Sequence, residues 1–281
     1  MQKTKLGISL KNSYPLPVKE VIKIIAQSGF DALSPVNKNG TDITEVVNTA
    51  KEYGIILQSL HTPSSRSVDM WKGDKECNAL GMAQMTESLE LCHKYEIPIM
   101  VAHIWQGYEP VDIPKEAGIE NHGRLIEKAK EYGVKIAYEN TEGEDYLFAL
   151  LEHFKNNNTV GFCWDSGHEL CYNSGKDLLK KFGDQLIMTH LNDNNGCSDP
   201  KGKLSWLDDL HLLPGDGICD WNYNIERLKK AKRQDILNFE LSIESKPNQH
   251  ENDKYCEMPL EEYFSTVYNI ACNLRDEYDL S

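Results

Sequence analysis

Short, continuous apolar segments recur along the chain, and polar loops and amphipathic segments separate them. The apolar segments are rich in Ile, Val, Leu and Met and do not alternate with polar residues, which is typical of parallel strands covered on both faces. We predict eight strands, at Leu6–Leu10, Ala32–Ser34, Ile55–Leu60, Ile99–Ile104, Lys135–Glu139, Val160–Trp164, Leu186–Asn192 and Ile236–Leu241.

Helical patterns with one apolar face lie between these strands. They cover Val18–Ser28, Asp42–Tyr53, Asp74–Tyr95, Ile113–Tyr132, Tyr146–Lys155, Lys176–Phe182, Tyr223–Lys232 and Leu260–Asp276. Asp42, with Glu45 three residues later, forms a capping-box pattern at a helix start. Gly54 and Gly133 follow two of the helices where a left-handed cap is expected.

Eight strands that alternate with eight helices predict an α/β fold, a closed (β/α)₈ TIM barrel. A doubly wound open sheet is the competing architecture, but no G-x-G-x-x-G motif follows the first strand, which weakens its dinucleotide-binding form. Because no linker rich in Pro, Gly or Ser divides the chain, we expect a single domain over residues 1–281. The longest irregular stretch is Asp193–Trp221, and loops of this length are often functional.

Charge and composition exclude several classes of partner. The 30 Lys and Arg residues against 44 Asp and Glu give a formal charge of −14, which argues against electrostatic binding to nucleic acid or an anionic membrane. The apolar runs are shorter than the roughly 18 residues of a membrane span, and Met1–Lys5 leads into a strand without a signal-peptide core, so we expect a cytoplasmic location. The eight irregularly spaced cysteines are expected to be reduced, structural thiols.

Imidazole and carboxylate side chains collect at or after the ends of the predicted strands. The set is His61, His103, Glu139, Asp165, His168, His190, Asp209, His211 and Glu240. In a (β/α)₈ barrel the active site is built at this end of the strands. Glu139 and Glu240 each end an apolar segment, where an unpaired carboxylate is costly, and no basic residue stands at a matching strand end. The pattern therefore predicts a site for a divalent metal ion.

The types of ligand narrow the choice of ion. Imidazole and carboxylate without thiolate favour Zn²⁺, Mn²⁺, Co²⁺ or Fe²⁺ over Ca²⁺. Nine ligands exceed what one ion takes, so the site holds either two or three ions, or one ion with the remaining residues on substrate. Cys163 is expected to face the sheet packing and not to join. Four other histidines are expected to be surface or satisfied core residues, namely His93, His122, His153 and His250.

Four motifs carry a resemblance to a known family. They are Trp164-Asp165-Ser166-Gly167-His168, His190-Leu191-Asn192-Asp193-Asn194, Asp209–Gly217 and Phe239-Glu240. In their order and spacing they resemble the xylose isomerase-like TIM barrel superfamily, which contains sugar-phosphate isomerases and epimerases and endonuclease IV-like proteins. The resemblance spans nearly the whole chain and implies two alternative uses of the site.

The epimerase branch implies one ion held by Glu139, Asp165, His190 and Glu240. The two glutamates then act as the catalytic acid and base, moving a proton next to a carbonyl, and His168 contacts a substrate hydroxyl. The aromatic side chains of Trp105 and Trp71 lie in mouth loops and are candidates to stack on the sugar; simple loop packing is the alternative. One departure concerns Gly196, which stands where ketose 3-epimerases place an Arg six residues after the metal-binding histidine.

The endonuclease IV branch implies that all nine residues bind three zinc ions that cleave a phosphodiester. The loop Pro63–Gly73 and the Asp193–Trp221 loop lack a basic strip, which argues against nucleic acid. We therefore expect a metal-dependent isomerase or epimerase with a small carbohydrate substrate, a sugar or sugar phosphate, and one to three zinc, manganese or cobalt ions. An endonuclease IV-like phosphodiesterase and a non-catalytic sugar- or metal-binding barrel are the alternatives, and barrels of this superfamily often build homodimers.

Overall fold

The computed structural model describes residues 3–11, 13–38, 41–108 and 112–280, so residues 1, 2, 12, 39, 40, 109–111 and 281 of the expected domain lie outside the described residues. The strands are β1 (Lys5–Leu10), β2 (Ala32–Pro35), β3 (Ile56–Leu57), β4 (Ser59–His61), β5 (Ile99–His103), β6 (Lys135–Glu139), β7 (Val160–Asp165), β8 (Leu186–His190) and β9 (Ile236–Phe239). The α-helices are α1 (Val18–Ser28), α2 (Ile43–Tyr53), α3 (Lys75–Lys94), α4 (Glu116–Tyr132), α5 (Glu144–His153), α6 (Ser166–Cys171), α7 (Leu178–Phe182), α8 (Trp221–Lys230), α9 (Asp253–Cys256) and α10 (Leu260–Asp279).

The strands close into one parallel barrel. One sheet has the order β3-β2-β1-β9 and the other has the order β4-β5-β6-β7-β8. Parallel bridges join the two sheets at both seams, between Val36 and His61 and between Leu191 and Phe239. At the second seam the Leu191 amide donates to the carbonyl of Asn238 over 2.9 Å. The predicted (β/α)₈ TIM barrel is therefore confirmed.

The third barrel strand is divided where the prediction placed one continuous strand, Ile55–Leu60. β3 pairs with β2, whereas β4 pairs with β5 on its other side, so the chain changes partner between them. The side chain of Gln58, between the two segments, is buried. This irregularity lies at one of the two seams that close the barrel.

Strand parity determines which side chains reach the site. Successive strand residues point to opposite faces, so residues two apart share a face. Val101, Ala137, Cys163 and Met188 form a separate, fully buried apolar cluster. Each precedes by two residues the last residue of β5, β6, β7 or β8, and the cluster is therefore the interior layer directly beneath the barrel mouth.

Helix ends follow the predicted chemistry. The Asp42 carboxylate accepts from the amides of Thr44 and Glu45 and caps α2, which ends at Gly54 in a left-handed conformation with φ +69°. Gly133 ends α4 in the same way. Among the described helices, none combines the length and the apolar composition that a membrane crossing needs.

Candidate metal centre

The barrel strands end in a ring of ligand-type side chains. His103, Glu139, Asp165 and His190 are the last residues of β5, β6, β7 and β8. His103 lies opposite Glu139 in the strand register, and Asp165 lies opposite His190. Because neighbouring strands lie about 4.8 Å apart, these four side chains share one space at the mouth.

Four residues form what we call the central group: Glu139, Asp165, His190 and Glu240. One ligand atom from each lies within 4.8 Å of one ligand atom from every other. The Nδ1 atom of His190 lies 3.0 Å from Oε1 of Glu139 and 2.8 Å from Oε2 of Glu240. Glu139 and Asp165 are fully buried, and Glu240 is 7% exposed. Three carboxylates are thus collected out of water, around one imidazole.

The Glu139 carboxylate also faces three further imidazoles. Its Oε2 atom lies 3.1 Å from Nε2 of His61 and 3.3 Å from Nε2 of His103. Its Oε1 atom lies 3.2 Å from Nδ1 of His168. We call His61, His103 and Glu139 the first flanking group, which shares Glu139 with the central group.

Asp209 joins two histidines on the opposite side of the mouth. Its Oδ1 atom lies 3.1 Å from Nε2 of His168 and 3.0 Å from Nε2 of His211. These three residues are the second flanking group. His211 adopts φ +51°, a left-handed conformation that costs on the order of 1 kcal/mol for a residue with a side chain. Such strain is common at functional sites.

The electrostatics keep the two glutamates ionised. Burial acts to raise the pKa of Glu139, but the imidazoles of His190 and His103 outweigh it and hold the pKa well below its usual range. Burial also acts to raise the pKa of Glu240, but the charges of His190 and Lys11 outweigh this effect and hold the pKa well below its usual range. Both carboxylates are therefore available as ligands and as proton acceptors at neutral pH.

Backbone carbonyls orient three of the rings. The Nδ1 atoms of His61, His168 and His211 lie 2.8, 3.0 and 3.1 Å from the carbonyl oxygens of Thr62, Asn140 and Glu240, respectively. A carbonyl can only accept, so these nitrogens donate and each ring presents Nε2 to the site. Metal-binding histidines are held by second-sphere partners of this kind.

The Asp165-Ser166-Gly167-His168 turn is built by close packing. Asp165 Oδ1 caps α6 by accepting from the His168 amide over 2.7 Å, and Oδ2 accepts from Nδ2 of Asn192 over 2.8 Å. A Cβ atom at Gly167 would lie 1.9 Å from Oδ1 of Asn192. Glycine is therefore required between the two ligand-type residues.

The donor set fits a divalent metal ion. All nine predicted ligands meet at the mouth, in one group of four and two groups of three. Burial and the nearby charges of Glu139 and Glu240 raise the pKa of Asp165 against the opposing effect of His168, because a third carboxylate charge in this space is repelled by the other two. A cation bound to nitrogen and oxygen donors would satisfy this charge.

Two expectations about neighbouring residues were wrong. A basic residue does accompany a strand end, because Lys11 follows β1 and its Nζ atom lies 4.0 Å from Oε1 of Glu240. Cys163 lies at the site, since its Sγ atom forms a ligand-sized group with Glu139 and His190. Burial raises the pKa of the Cys163 thiol to about 12, so it is protonated beneath the central group at neutral pH.

The structure also corrects one of the two tryptophans predicted to contact substrate. Trp71 is fully buried, its Nε1 donates to the Ile104 carbonyl over 2.8 Å, and its ring packs where Gly118 of α4 leaves room. It is therefore a core residue. Trp105 stacks on Tyr146 at 4.3 Å and lines a cleft of about 960 Å³ beside the mouth.

The sequence comparisons identify the family. The model of the xylose isomerase-like TIM barrel family matches residues 22–257. The chain is 31% identical over 153 residues to an uncharacterised protein of Sinorhizobium fredii, y4fM, a match that covers 51% of this chain and 46% of that protein. It is 22% identical over 262 residues to an uncharacterised protein of Methanocaldococcus jannaschii, MJ1311, covering 84% and 83% of the two chains. The first match therefore spans about half the length of the relative.

Solved structures share the fold. The IolI protein, determined with a bound zinc atom, superposes with a TM-score of 0.77 at 19% identity and covers 99% of this chain and 100% of that one. A D-allulose 3-epimerase from a Methylomonas species, in complex with D-allulose, gives 0.72 at 14% identity over 96% and 97% of the chains. Family match and fold agree: the chain belongs to the xylose isomerase-like TIM barrel family.

Proposed function

We propose that the protein is a metal-dependent isomerase or epimerase of a small sugar or sugar phosphate. One observation carries the proposal: two ionised, buried glutamates lie within hydrogen-bond distance of the same nitrogen of His190, in a group with Asp165 that fits one ion. The solved epimerases that share the fold are compatible with this proposal, and at 13% and 14% identity they show the fold alone.

The proposed chemistry is proton transfer next to a carbonyl. A divalent cation in the central group would polarise the substrate carbonyl and stabilise the negative charge that develops on its oxygen. Glu139 and Glu240 approach the site from different strands, β6 and the end of β9. One glutamate accepts the proton of the neighbouring carbon, and the other takes up a proton from solvent and delivers it to the substrate, which produces isomerisation or epimerisation.

The remaining contacts shape the substrate site. His168 is nearly fully buried between Glu139 and Asp209, and we propose that it contacts a substrate hydroxyl if the second flanking group holds no ion. Trp105, at the edge of the cleft, is the proposed stacking residue. Gly196 adopts φ +78°, a conformation in which a residue with a side chain, such as Arg, would be strained. We therefore do not propose that a side chain at position 196 selects ketoses for reaction at C3.

Solvent-proton exchange tests the proposal directly. Glu139→Gln and Glu240→Gln keep the side-chain shape and remove the proton-accepting charge. We expect metal-loaded wild type, screened in D₂O against a panel of ketoses and ketose phosphates, to incorporate deuterium next to the carbonyl of a substrate. Each variant should lose at least about a hundredfold of that rate. Glu244→Gln, the same change at an exposed position four residues beyond Glu240, is the matched control. Full exchange in both site variants would refute the assignment.

One observation favours a second candidate, an endonuclease IV-like phosphodiesterase. The central group and the two flanking groups together give the mouth three potential ion sites that share or adjoin Glu139. Three zinc equivalents per chain together with nicking of an abasic duplex would support this candidate. One equivalent of manganese or cobalt together with deuterium incorporation would support the isomerase.

A further inference from the structure

The side chain of Asn140 extends the strand pairing at the mouth of the barrel. The backbone pairing of β6 with β7 ends where Glu139 lies opposite Cys163. One residue further, the Oδ1 atom of Asn140 accepts from the amide of Asp165 over 2.8 Å, and its Nδ2 atom donates to the carbonyl oxygen of Asp165 over 2.9 Å. The backbone of Asp165, a predicted metal ligand, is therefore held on the β6 side by a side chain and not by a strand.

Asn173 supports the same contact from the far end of helix α6. Its Oδ1 atom accepts from Nδ2 of Asn140 over 3.0 Å, and its Nδ2 atom donates to the carbonyl oxygen of Thr141 over 3.1 Å. The backbone amide of Asn173 donates to the carbonyl oxygen of His168 over 3.1 Å. Helix α6, which carries His168, is thus tied at both ends to the segment that follows β6.

The type of residue at position 140 suits this role. Asn140 is fully buried, and its side chain uses one acceptor and two donors, which the amide of Asn provides on adjacent atoms. An ionised Asp of the same shape would have acceptors only, and it would face the carbonyl oxygen of Asp165 and the Oδ1 atom of Asn173. The backbone carbonyl of Asn140 also accepts from Nδ1 of His168 over 3.0 Å. One residue therefore contacts two ligand-type residues and follows a third, Glu139, in the chain.

We infer that Asn140, supported by Asn173, is a positioning residue that fixes Asp165 and His168 in the arrangement that the proposed metal centre requires. Partners of metal ligands act in this way when they hold the ligand atoms in place before the ion binds. The inference rests on the metal centre of the proposed function. It requires no particular substrate and no particular reaction.

Cobalt binding tests the inference without turnover. Co²⁺ is titrated into metal-free wild type, Asn140→Asp and Asn173→Ala, and the visible absorption of the bound ion reports the geometry of its ligands. We expect Asn140→Asp to bind Co²⁺ at least about tenfold more weakly than wild type and to show shifted absorption bands. Asn173→Ala should show a smaller change in the same direction, because Asn140 keeps its two bonds to Asp165 in this variant.

Asn121→Asp is the matched control. Asn121 lies on α4, is 1% exposed, and its Nδ2 atom donates to the carbonyl oxygen of Met70 over 2.7 Å. The same substitution there removes a buried donor, so it should lower the free energy of unfolding in urea. The affinity for Co²⁺ and the absorption of the bound ion should stay at their wild-type values. This control separates a loss of positioning from a loss of stability.

The outcomes separate the inference from the proposed function. Wild-type Co²⁺ affinity and absorption in Asn140→Asp would overturn it, as would equal changes in Asn121→Asp or a wild type that takes up no Co²⁺. Asn173→Ala decides on the same two readouts if Asn140→Asp does not fold. Altered cobalt binding in the site variants, with no deuterium exchange on any substrate tested, would support the positioning role and refute the isomerase. Deuterium exchange by wild type, with unchanged cobalt binding in the variants, would give the reverse result.

Discussion

Glu139 shows how much one buried residue determines at this site. It is the last residue of β6, and its side chain points into the barrel interior and is fully buried from solvent. Nitrogen atoms of four imidazoles lie within 3.3 Å of its two carboxylate oxygens. Removing it would leave those rings without their common acceptor and divide the central group from the first flanking group. Its position at the junction makes it the residue on which metal binding and proposed proton transfer depend together.

His122 provides a pH prediction that is independent of the metal ligands. It is fully buried on α4, lies 3.0 Å from the Tyr138 hydroxyl, and burial lowers its pKa to about 3. The unfolded chain therefore binds more protons between the ordinary pKa of 6.5 and 3, so stability falls as pH decreases through this window. Between about pH 6.5 and pH 4.5 we expect the free energy of unfolding to fall by about 2–3 kcal/mol less in His122→Asn than in wild type.

The comparison uses urea unfolding of wild type and His122→Asn at both pH values. Any cost of the substitution itself appears equally at both, so the difference between the two slopes isolates the titration of His122. His93→Asn, at an exposed position, should leave the wild-type slope unchanged. Parallel pH profiles for wild type and His122→Asn would contradict the assignment.

The location of a residue was predictable where its side-chain chemistry indicated a ligand, and less predictable where packing against distant residues determines it. All nine ligand-type residues meet: seven stand at or shortly after a strand end, and Asp209 and His211 are brought to the mouth by the loop after β8. Lys11 was missed since one lysine after an apolar strand resembles any surface lysine. Cys163 was misplaced although it shares strand parity with Asp165, which puts both side chains inside the barrel. Trp71 was assigned to substrate because its burial depends on Gly118 of a distant helix.

At the scale of elements, the long loop after β8 is held by one side chain. Asp193 is fully buried; its Oδ1 atom accepts from the Cys219 amide over 2.9 Å, and its Oδ2 atom accepts from the Gly215 amide over 2.7 Å and from Nε1 of Trp221 over 2.9 Å. These bonds fold the segment that carries Asp209 back onto the mouth. The sequence predicted a functional loop here, but its order depends on contacts that span more than 20 residues.

Asp193→Asn should loosen this loop. The new side-chain NH₂ group at position 193 would face the N–H donors of Gly215, Cys219 or Trp221. At least one of these buried donors then loses its acceptor, which lowers the free energy of unfolding by about 1–3 kcal/mol. We expect faster limited proteolysis between residues 193 and 221 and weaker metal binding at the second flanking group. Asp199→Asn is the control, since Asp199 caps a local turn that Asn also accommodates. Identical proteolysis of Asp193→Asn and wild type would show that the loop is ordered by other contacts.

At the scale of the whole molecule, the hydrophobic periodicity of the sequence predicted the barrel architecture but did not predict how the barrel closes. Continuous apolar strands and amphipathic helices indicate a barrel, because parallel strands need cover on both faces. The divided third strand and the unpredicted α6 arise from how the barrel closes and how Asp165 starts a helix at the strand end. Neither feature has a local hydrophobic pattern, so sequence periodicity could not reveal them.

Elemental analysis of protein purified without added metal is the most direct measurement of the central claim, that these side chains bind divalent cations. We expect at least one equivalent of zinc, manganese, cobalt or iron per chain in wild type, and loss of metal from the central group in His190→Ala. His93→Ala, on the exposed side of α3, should keep the wild-type metal content. Wild-type protein that holds no divalent metal, and takes up none when it is supplied, would contradict the account.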